Sequence, residues 1–319
     1  MNTLASPKQP TTTQNLPLRQ PRFRYLLLLL GACSLALAPR PAPAADVVFS
    51  VFDGREFMQV GDFVFTSNPS RPAYWECTVR GLQPGDAEDV EVTPPAGEPI
   101  SLSYSPGQDT ATVAQDFMSA AERSSAFPAG AYTLSLKRSD GSSDGAMLHH
   151  SAPPPPEPPR FLRLLELEPR GGVDLPFEWD PGPGASAEDR FVLWVQAANI
   201  PKGTGWTFNT PWPGQPGALS SLTTAVTLPG SRISPGDILV VKLIRYRVAD
   251  QTQLPIGTAL AGSATAVSTT FMVPAAPEGN DVTAHRLLFA RVFRQDEALP
   301  SSSPVPAAFE FNATAWGAS

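Results

Sequence analysis

Cysteine and histidine are scarce. The 319 residues contain two cysteines and three histidines. Cys33 falls in an amino-terminal leader, which leaves Cys77 alone and excludes an internal disulfide framework. His149, His150 and His285 are few, and adjacent His149 and His150 would point to opposite faces of a strand, which limits metal chemistry. Charged residues make up 17%, against a usual quarter. Gly-x-Ser-x-Gly, His-Glu-x-x-His, a phosphate loop and Cys-x-x-Cys are all missing. What is abundant is proline, 37 residues, with 24 glycines and 42% hydrophobic residues. Such a chain has enough apolar material for a core, many turns and few long helices.

The amino terminus has the three parts of a secretory signal. Residues 1–24 carry Lys8, Arg19, Arg22 and Arg24 and no acid. Tyr25 to Ala38 is a 14-residue apolar run, short of the roughly 20 residues that cross a bilayer. Ala42-Pro43-Ala44 places small residues at the cleavage spacing. Residues 1–45 are therefore expected to be a signal peptide, and the protein to be secreted, periplasmic or at the cell surface. Leu30-Gly31-Ala32-Cys33 offers a second reading, a lipoprotein box with lipid on Cys33. The apolar run continuing past Cys33 to Ala38 favours ordinary cleavage. Removing residues 1–45 removes five basic residues and no acid. That leaves 18 basic and 30 acidic residues, a net charge of −12, which repels nucleic acid and anionic membrane surfaces.

The strongest internal boundary is Pro153-Pro154-Pro155-Pro156-Glu157-Pro158-Pro159, a polyproline II spacer by composition. It divides a first domain, residues 46–152, from a second, residues 160–273. Residues 274–319 are few for a core of their own and are expected to extend the second. Both parts read as strands between turns. In the first, Val47–Phe52 is expected to end at Asp53-Gly54, followed by Asp62–Thr66, Tyr74–Val79, Val90–Thr93, Ile100–Tyr104 and Tyr132–Leu136. In the second, the runs are Phe161–Leu167, Val173–Trp179, Phe191–Val195, Ala225–Leu228, Ile238–Val248 and Thr269–Val273. Leu287–Phe293 and Phe309–Ala313 look like two more. Ala111–Ala126, with Val113, Phe117, Ala120 and Ala121 at helical spacing, predicts a short helix.

Phe177-Glu178-Trp179 closes an early strand, and Phe191–Val195 follows after a loop. With the turn and strand of Ile233-Ser234-Pro235-Gly236-Asp237-Ile238-Leu239, this resembles fibronectin type III and immunoglobulin-like sandwiches. Leu239 stands where that family commonly has a tyrosine. Phe127-Pro128-Ala129-Gly130-Ala131-Tyr132 is the closer match, with Tyr132 as the corner residue. Over roughly residues 46–273 the chain is similar to secreted bacterial proteins with such domains, through Ala120–Leu136, Trp179 and Phe208-Asn209-Thr210-Pro211. The resemblance implies an all-β fold of two antiparallel sandwiches in tandem, with one short helix in the first. It implies no activity.

Candidate sites are sparse. Trp206, Phe208 and Trp212 sit among turn residues and would suit a platform for sugar rings or a partner chain. The competing reading turns Trp206 and Phe208 inward and lays Trp212 over a sheet edge. Asp86, Glu88, Asp89 and Glu91 form an acidic cluster with calcium-type oxygens, and Asp140 and Asp144 a weaker one. A solvated turn fits both better. Cys77 reads as a buried small hydrophobe, Trp179 and Trp194 as core, and His149-His150 as exposed beside the proline run. No cofactor is implied. The sequence suggests a non-catalytic binding or structural protein whose partner is a protein or a polysaccharide. The rivals are a carbohydrate-binding module using the exposed aromatics, and a hydrolase or enzyme accessory with an unrecognised acid pair.

Overall fold

The computed structural model describes residues 47–62, 65–83, 85–104, 109–199, 202–254 and 257–274. Cys33, the leader and both strands expected beyond residue 274 lie outside the described residues. Along the first part run β1 (Val47–Gln59), β2 (Phe65–Ser67), β3 (Ala73–Arg80), β4 (Ala87–Thr93), β5 (Ile100–Ser101), β6 (Ser103–Tyr104), β7 (Thr110–Phe117), α1 (Ala120–Ala126), β8 (Gly130–Arg138) and β9 (Ser143–His150). The second part carries β10 (Arg160–Phe161), β11 (Leu175–Asp180), β12 (Asp189–Asn199), β13 (Thr204–Asn209), β14 (Leu219–Ser220), β15 (Ala225–Leu228), β16 (Asp237–Leu254) and β17 (Gly257–Met272).

The fold is all-β. One ten-stranded sheet runs β13-β12-β16-β17-β1-β3-β7-β6, with β14 beside β12 and β2 beside β1. Two smaller sheets, β5-β4-β8-β9 and β10-β11-β15, complete the set. The pairings are antiparallel except β1 with β17, which is parallel from Val47 opposite Gly257 to Met58 opposite Ser268. Strands from either side of the proline run thus share one sheet.

Each small sheet packs on the large one and encloses a core. The first core joins Val90, Val92, Tyr132, Leu134, Leu136 and Leu148 to Phe49, Val51, Trp75, Cys77 and Val79. The second joins Phe161, Phe177 and Trp179 to Phe191, Leu193, Leu239, Val241 and Leu243. Side chains alternate along a strand, so parity tells which face each core covers. On β17, Ala259 and Ala261 point into the first core and Val267 into the second, all odd positions. Leu260, Ala264 and Ala266 belong to a third cluster on the opposite face, with Phe52, Tyr74 and Tyr246. The two sandwiches therefore stand on the same face of one sheet.

Between them lies the proline run. Ser263 Oγ donates to the Pro154 carbonyl at 3.1 Å and Thr265 Oγ1 to that of Pro156 at 2.6 Å. Arg55 also reaches Pro156 at 3.2 Å, and Arg245 reaches the Glu157 carbonyl at 3.2 Å. The donors all sit on odd positions, on the face that carries the cores.

Several local expectations are corrected. Asp53-Gly54 does not end β1, which continues to Gln59. Glycine is there for close approach: a Cβ at Gly54 would lie 2.5 Å from the Tyr74 ring and 2.7 Å from the Ala264 carbonyl. The helix expected over 111–126 is confined to α1, and 110–117 is strand. Val113 and Phe117 are four apart, a spacing that suits a strand face as well as a helix face. Their β7 neighbours Thr110 and Thr112 are β-branched and favour the sheet. The helix start is marked by the Ser119 cap: Ser119 Oγ accepts from the Glu122 N–H at 3.2 Å, and Glu122 accepts from the N–H of Met118, the residue before the cap, at 3.1 Å. Ile100–Tyr104 is not one strand. The chain changes sheets at buried Leu102, so that β5 pairs β4 and β6 pairs β7. Phe161–Leu167 contributes only Phe161 to the two-residue β10 and then a 3-10 turn, Leu164–Glu166. The strand expected at Thr269 begins twelve residues earlier, at Gly257.

The first core includes Ala259 and Ala261, with Leu254 packed against it. A fragment of residues 46–152 alone is expected to lack a cooperative thermal transition, whereas the full chain shows one. Cooperative unfolding of the fragment by calorimetry would contradict this dependence on β16 and β17.

Candidate functional site

The three aromatics of the supposed platform are not brought together. Trp206 and Phe208 lie on the edge strand β13, opposite Ala197 and Val195 of β12, and pack half-buried on the second core. Trp206 Nε1 donates to Asp237 Oδ2 at 3.4 Å, and Arg232 stands 5.8 Å from the Phe208 ring. Trp212 lies on the other face of the large sheet with the third cluster. There it meets Tyr246 edge-on at 6.1 Å, and the Arg80 guanidinium covers its ring at 4.0 Å. Trp179 is buried in the second core, and Trp194 is half-buried beneath Lys242.

The acidic cluster is drawn out along β4 and its approach. Asp86 faces Arg138 at 3.7 Å and Glu88 faces Lys137 at 2.6 Å, both partners on β8. Asp89 is exposed and Glu91 half-buried on the same strand. Asp140 caps its own turn through Ser142, and Asp144 pairs with Arg138. Among the described residues no three His, Cys, Asp or Glu side chains converge as a metal set. Cys77 is buried, and burial pushes its thiol well above the usual range, which makes it inert. Tyr132 Oη donates to the Pro128 carbonyl four residues upstream at 3.0 Å, the corner its sequence context suggested.

The polar chemistry of the molecule lies elsewhere, in a buried belt between the two cores, which sequence reasoning missed. At one end Arg245 is wholly buried against equally buried Asp189, with Nη2 to Oδ2 at 2.7 Å. Arg247 takes the other carboxylate oxygen at 3.2 Å. Arg245 Nη1 is also surrounded by the carbonyls of Glu157, Pro181 and Pro183. Burial alone would raise the Asp189 carboxyl; the Ser186 N–H and the two guanidiniums outweigh it and hold the group below its ordinary range.

At the other end sits Asp53 of β1. Its Oδ2 meets Arg123 of α1 at 2.6 Å, and its Oδ1 lies 3.9 Å from His150 Nε2 of β9. His150 is buried, contrary to the exposure expected for the pair; exposed His149 points the other way, as alternation along β9 requires. Burial pushes Asp53 up to about 6, against the pull of Arg123. It pushes His150 down to about 4, with Asp250 opposing and Arg123 and His149 adding to the push. On the opposite face of the large sheet, Lys242 Nζ meets buried Glu56 at 2.8 Å, and Arg71 links Glu56, Glu76 and Asp116.

A shallow depression of about 150 Å³ on the second sandwich is lined by Leu162, Arg163, Glu166, Leu167, Pro176 and Glu178. None of its lining residues belongs to the belt. At its Asp189 end the belt charges neutralise one another, and Arg55 and Arg245 donate to carbonyls of the proline run.

Arg245→Met is expected to cost about 3–5 kcal/mol, because it leaves Asp189 buried with Arg247 alone. Urea denaturation at pH 7 measures it, and a loss under about 1 kcal/mol would show that the belt does not bear on stability. The Asp189 pairing works in the opposite sense to a raised pKa. A carboxyl held low in the folded chain stabilises above its unfolded pKa of about 3.8, and that contribution fades as pH falls further.

No family model matches the chain, and no curated protein matches it. Among solved structures it is similar to the FN1–FN3 domains of chicken CNTN1, at 11% identity, 73% of this chain, 69% of that chain and a TM-score of 0.22. It is also similar to a tetra-tandem repeat in the extending region of a large adhesion protein, at 11% identity and a TM-score of 0.20. That match takes in 74% of this chain and about half of the other, 54%. Likeness at these scores carries no argument, and the fold rests on the chain's own strand pairing.

Proposed function

We propose that the protein is an exported, non-catalytic β-sandwich protein with a binding or structural role at or outside the bacterial cell surface. The observation that supports this is the use made of buried charge. Arg245–Asp189, Arg123–Asp53 and Lys242–Glu56 each tie one element to another inside the molecule. Charge spent on joining strands stiffens a scaffold and leaves contact to loops and exposed strand faces. The net charge of −12 left after removal of residues 1–45 directs that contact to proteins or polysaccharides rather than nucleic acid. Among the described residues no helix is long and apolar enough to cross a membrane.

Export is tested by expressing the full sequence in a bacterium and weighing the product. The expected mature chain begins at Ala45 or Asp46. A product lipidated on Cys33 would move the protein to a membrane anchor, and retention of residues 1–45 in the cytosol would end the export reading.

One observation favours a second reading, a carbohydrate-binding module: Trp206 and Phe208 lie half-buried side by side on an edge strand. The two readings separate in a thermal-shift screen of the protein against polysaccharides. The main reading expects no shift. A shift of several degrees, abolished by Trp206→Ala and kept in Trp212→Ala, would establish the second, because Trp212 lies on the other face beneath Arg80.

A further inference from the structure

We propose that Asp53 and His150 form a compensated proton pair that keeps the first sandwich closed as its surroundings turn acidic. The pair bridges the two layers of that sandwich, Asp53 from the large sheet and His150 from the last strand of the small one. Both side chains are almost fully buried, 2% and 1% exposed. Asp53 Oδ1 and both ring nitrogens of His150 have no hydrogen-bond partner among the described residues. Asp53 Oδ2 is held by Arg123, the buried side chain of α1.

Burial disfavours the carboxylate and the imidazolium alike, so it raises the proton affinity of one group and lowers that of the other. The groups around the pair are Arg123 from α1, Tyr132 from β8, His149 from β9, Tyr74 from β3 and Asp250 from β16. Neither tyrosine ionises in the acid range, since burial pushes both phenols upward.

The signs run against each other. Asp53 goes from 3.8 up to about 6 on folding. As pH falls through 6 the folded chain takes a proton there that the unfolded chain does not, and folding is favoured. His150 goes from 6.5 down to about 4. As pH falls through 6.5 the unfolded chain takes a proton there that the folded chain refuses, and folding is disfavoured. Between these limits each state binds one proton, and the two effects offset. Either residue alone would make the joint between the layers a pH switch.

The test is urea denaturation of the full chain at pH 6.5, 5.5 and 4.5. Relative to wild type, the folding constant of His150→Phe is expected to rise on the order of tenfold from pH 6.5 to 4.5, and that of Asp53→Asn to fall on the order of tenfold. The double variant returns to the wild-type slope. Only slopes are compared, so a lower absolute stability does not obscure the result. A proton titration of the His150 ring by NMR reads the same pair in the wild-type protein, even where a variant does not fold. The ring is expected to stay neutral at pH 5. Single variants that keep the wild-type slope, two variants that shift in the same direction, or a folded-state His150 that protonates near 6.5 would each overturn the pairing.

Discussion

β17 is hydrogen-bonded along both edges, to β16 on one side and to β1 on the other, and most of it is buried. The rest of the architecture follows from that position. β17 is built largely from Ala, Gly, Ser and Thr, and two of its glycines lie against the backbone of the neighbouring strands. A Cβ at Gly262 would stand 1.9 Å from the Arg247 carbonyl, and one at Gly257 would stand 1.9 Å from that of Val47. Because β1 pairs with β17 on one side and β3 on the other, the first described strand lies in the middle of the sheet instead of at its edge. The first core then draws Ala259 and Ala261 from the far end of the sequence. Closing a sheet from strands about two hundred residues apart carries a loop-closure cost that local strand pairs avoid. The two cores share one foundation, and neither is a local product of its own segment.

Two cores on one face leave a gap between them, and the gap sets the chemistry of the belt. Polyproline backbone offers carbonyl acceptors and no N–H donors. It cannot lie on a sheet surface unless that surface supplies donors. Ser263, Thr265, Arg55 and Arg245 do so, each at an odd position facing the run. A buried guanidinium in turn demands a carboxylate, and Asp189 fills that need with Arg247 on its second oxygen. In this chain the proline carbonyls, the donors that meet them and the carboxylate that balances Arg245 form one linked set.

The sequence was readable where one face of a strand is wet. Tyr132–Leu136 alternates cleanly and lies in β8, and of the run Val173–Trp179 the part from Leu175 lies in β11, each with one side on a core. It was misleading where a residue has two physical uses. Asp53-Gly54 has the composition of a turn, but aspartate is there to meet Arg123 and glycine to clear the Tyr74 ring. Val113 and Phe117 satisfy two periodicities at once. It was silent at the start of β17, because Thr258-Ala259-Leu260-Ala261-Gly262-Ser263 has neither the β-branched bulk nor the alternation that marks a strand. Of the candidate site, only the inward alternation of Trp206 and Phe208 could be weighed beforehand. That Trp212 would fall on the opposite face depends on the loop after β13 crossing the sheet, which no local pattern records.

The belt was illegible for a related reason. Its members come from β1, α1, β9, β12, β16 and β17, and none is unusual where it stands in the sequence. Register makes them neighbours. Asp53 lies opposite Ser263, Ser263 opposite Arg247, and Arg247 opposite Asp189. One transverse row thus crosses four strands with a polar residue on each. A row of that kind costs stability unless every member is matched, since unpaired polar groups between two apolar cores carry the full desolvation penalty. At the Asp189 end the matching is by ions and backbone carbonyls. At the Asp53 end Arg123 satisfies one oxygen, and what remains is a carboxylate oxygen beside a buried imidazole, neither with a hydrogen-bond partner among the described residues. Two such groups limit their shared cost by both being neutral between their shifted values, and the packing of the small sheet on the large one places them side by side.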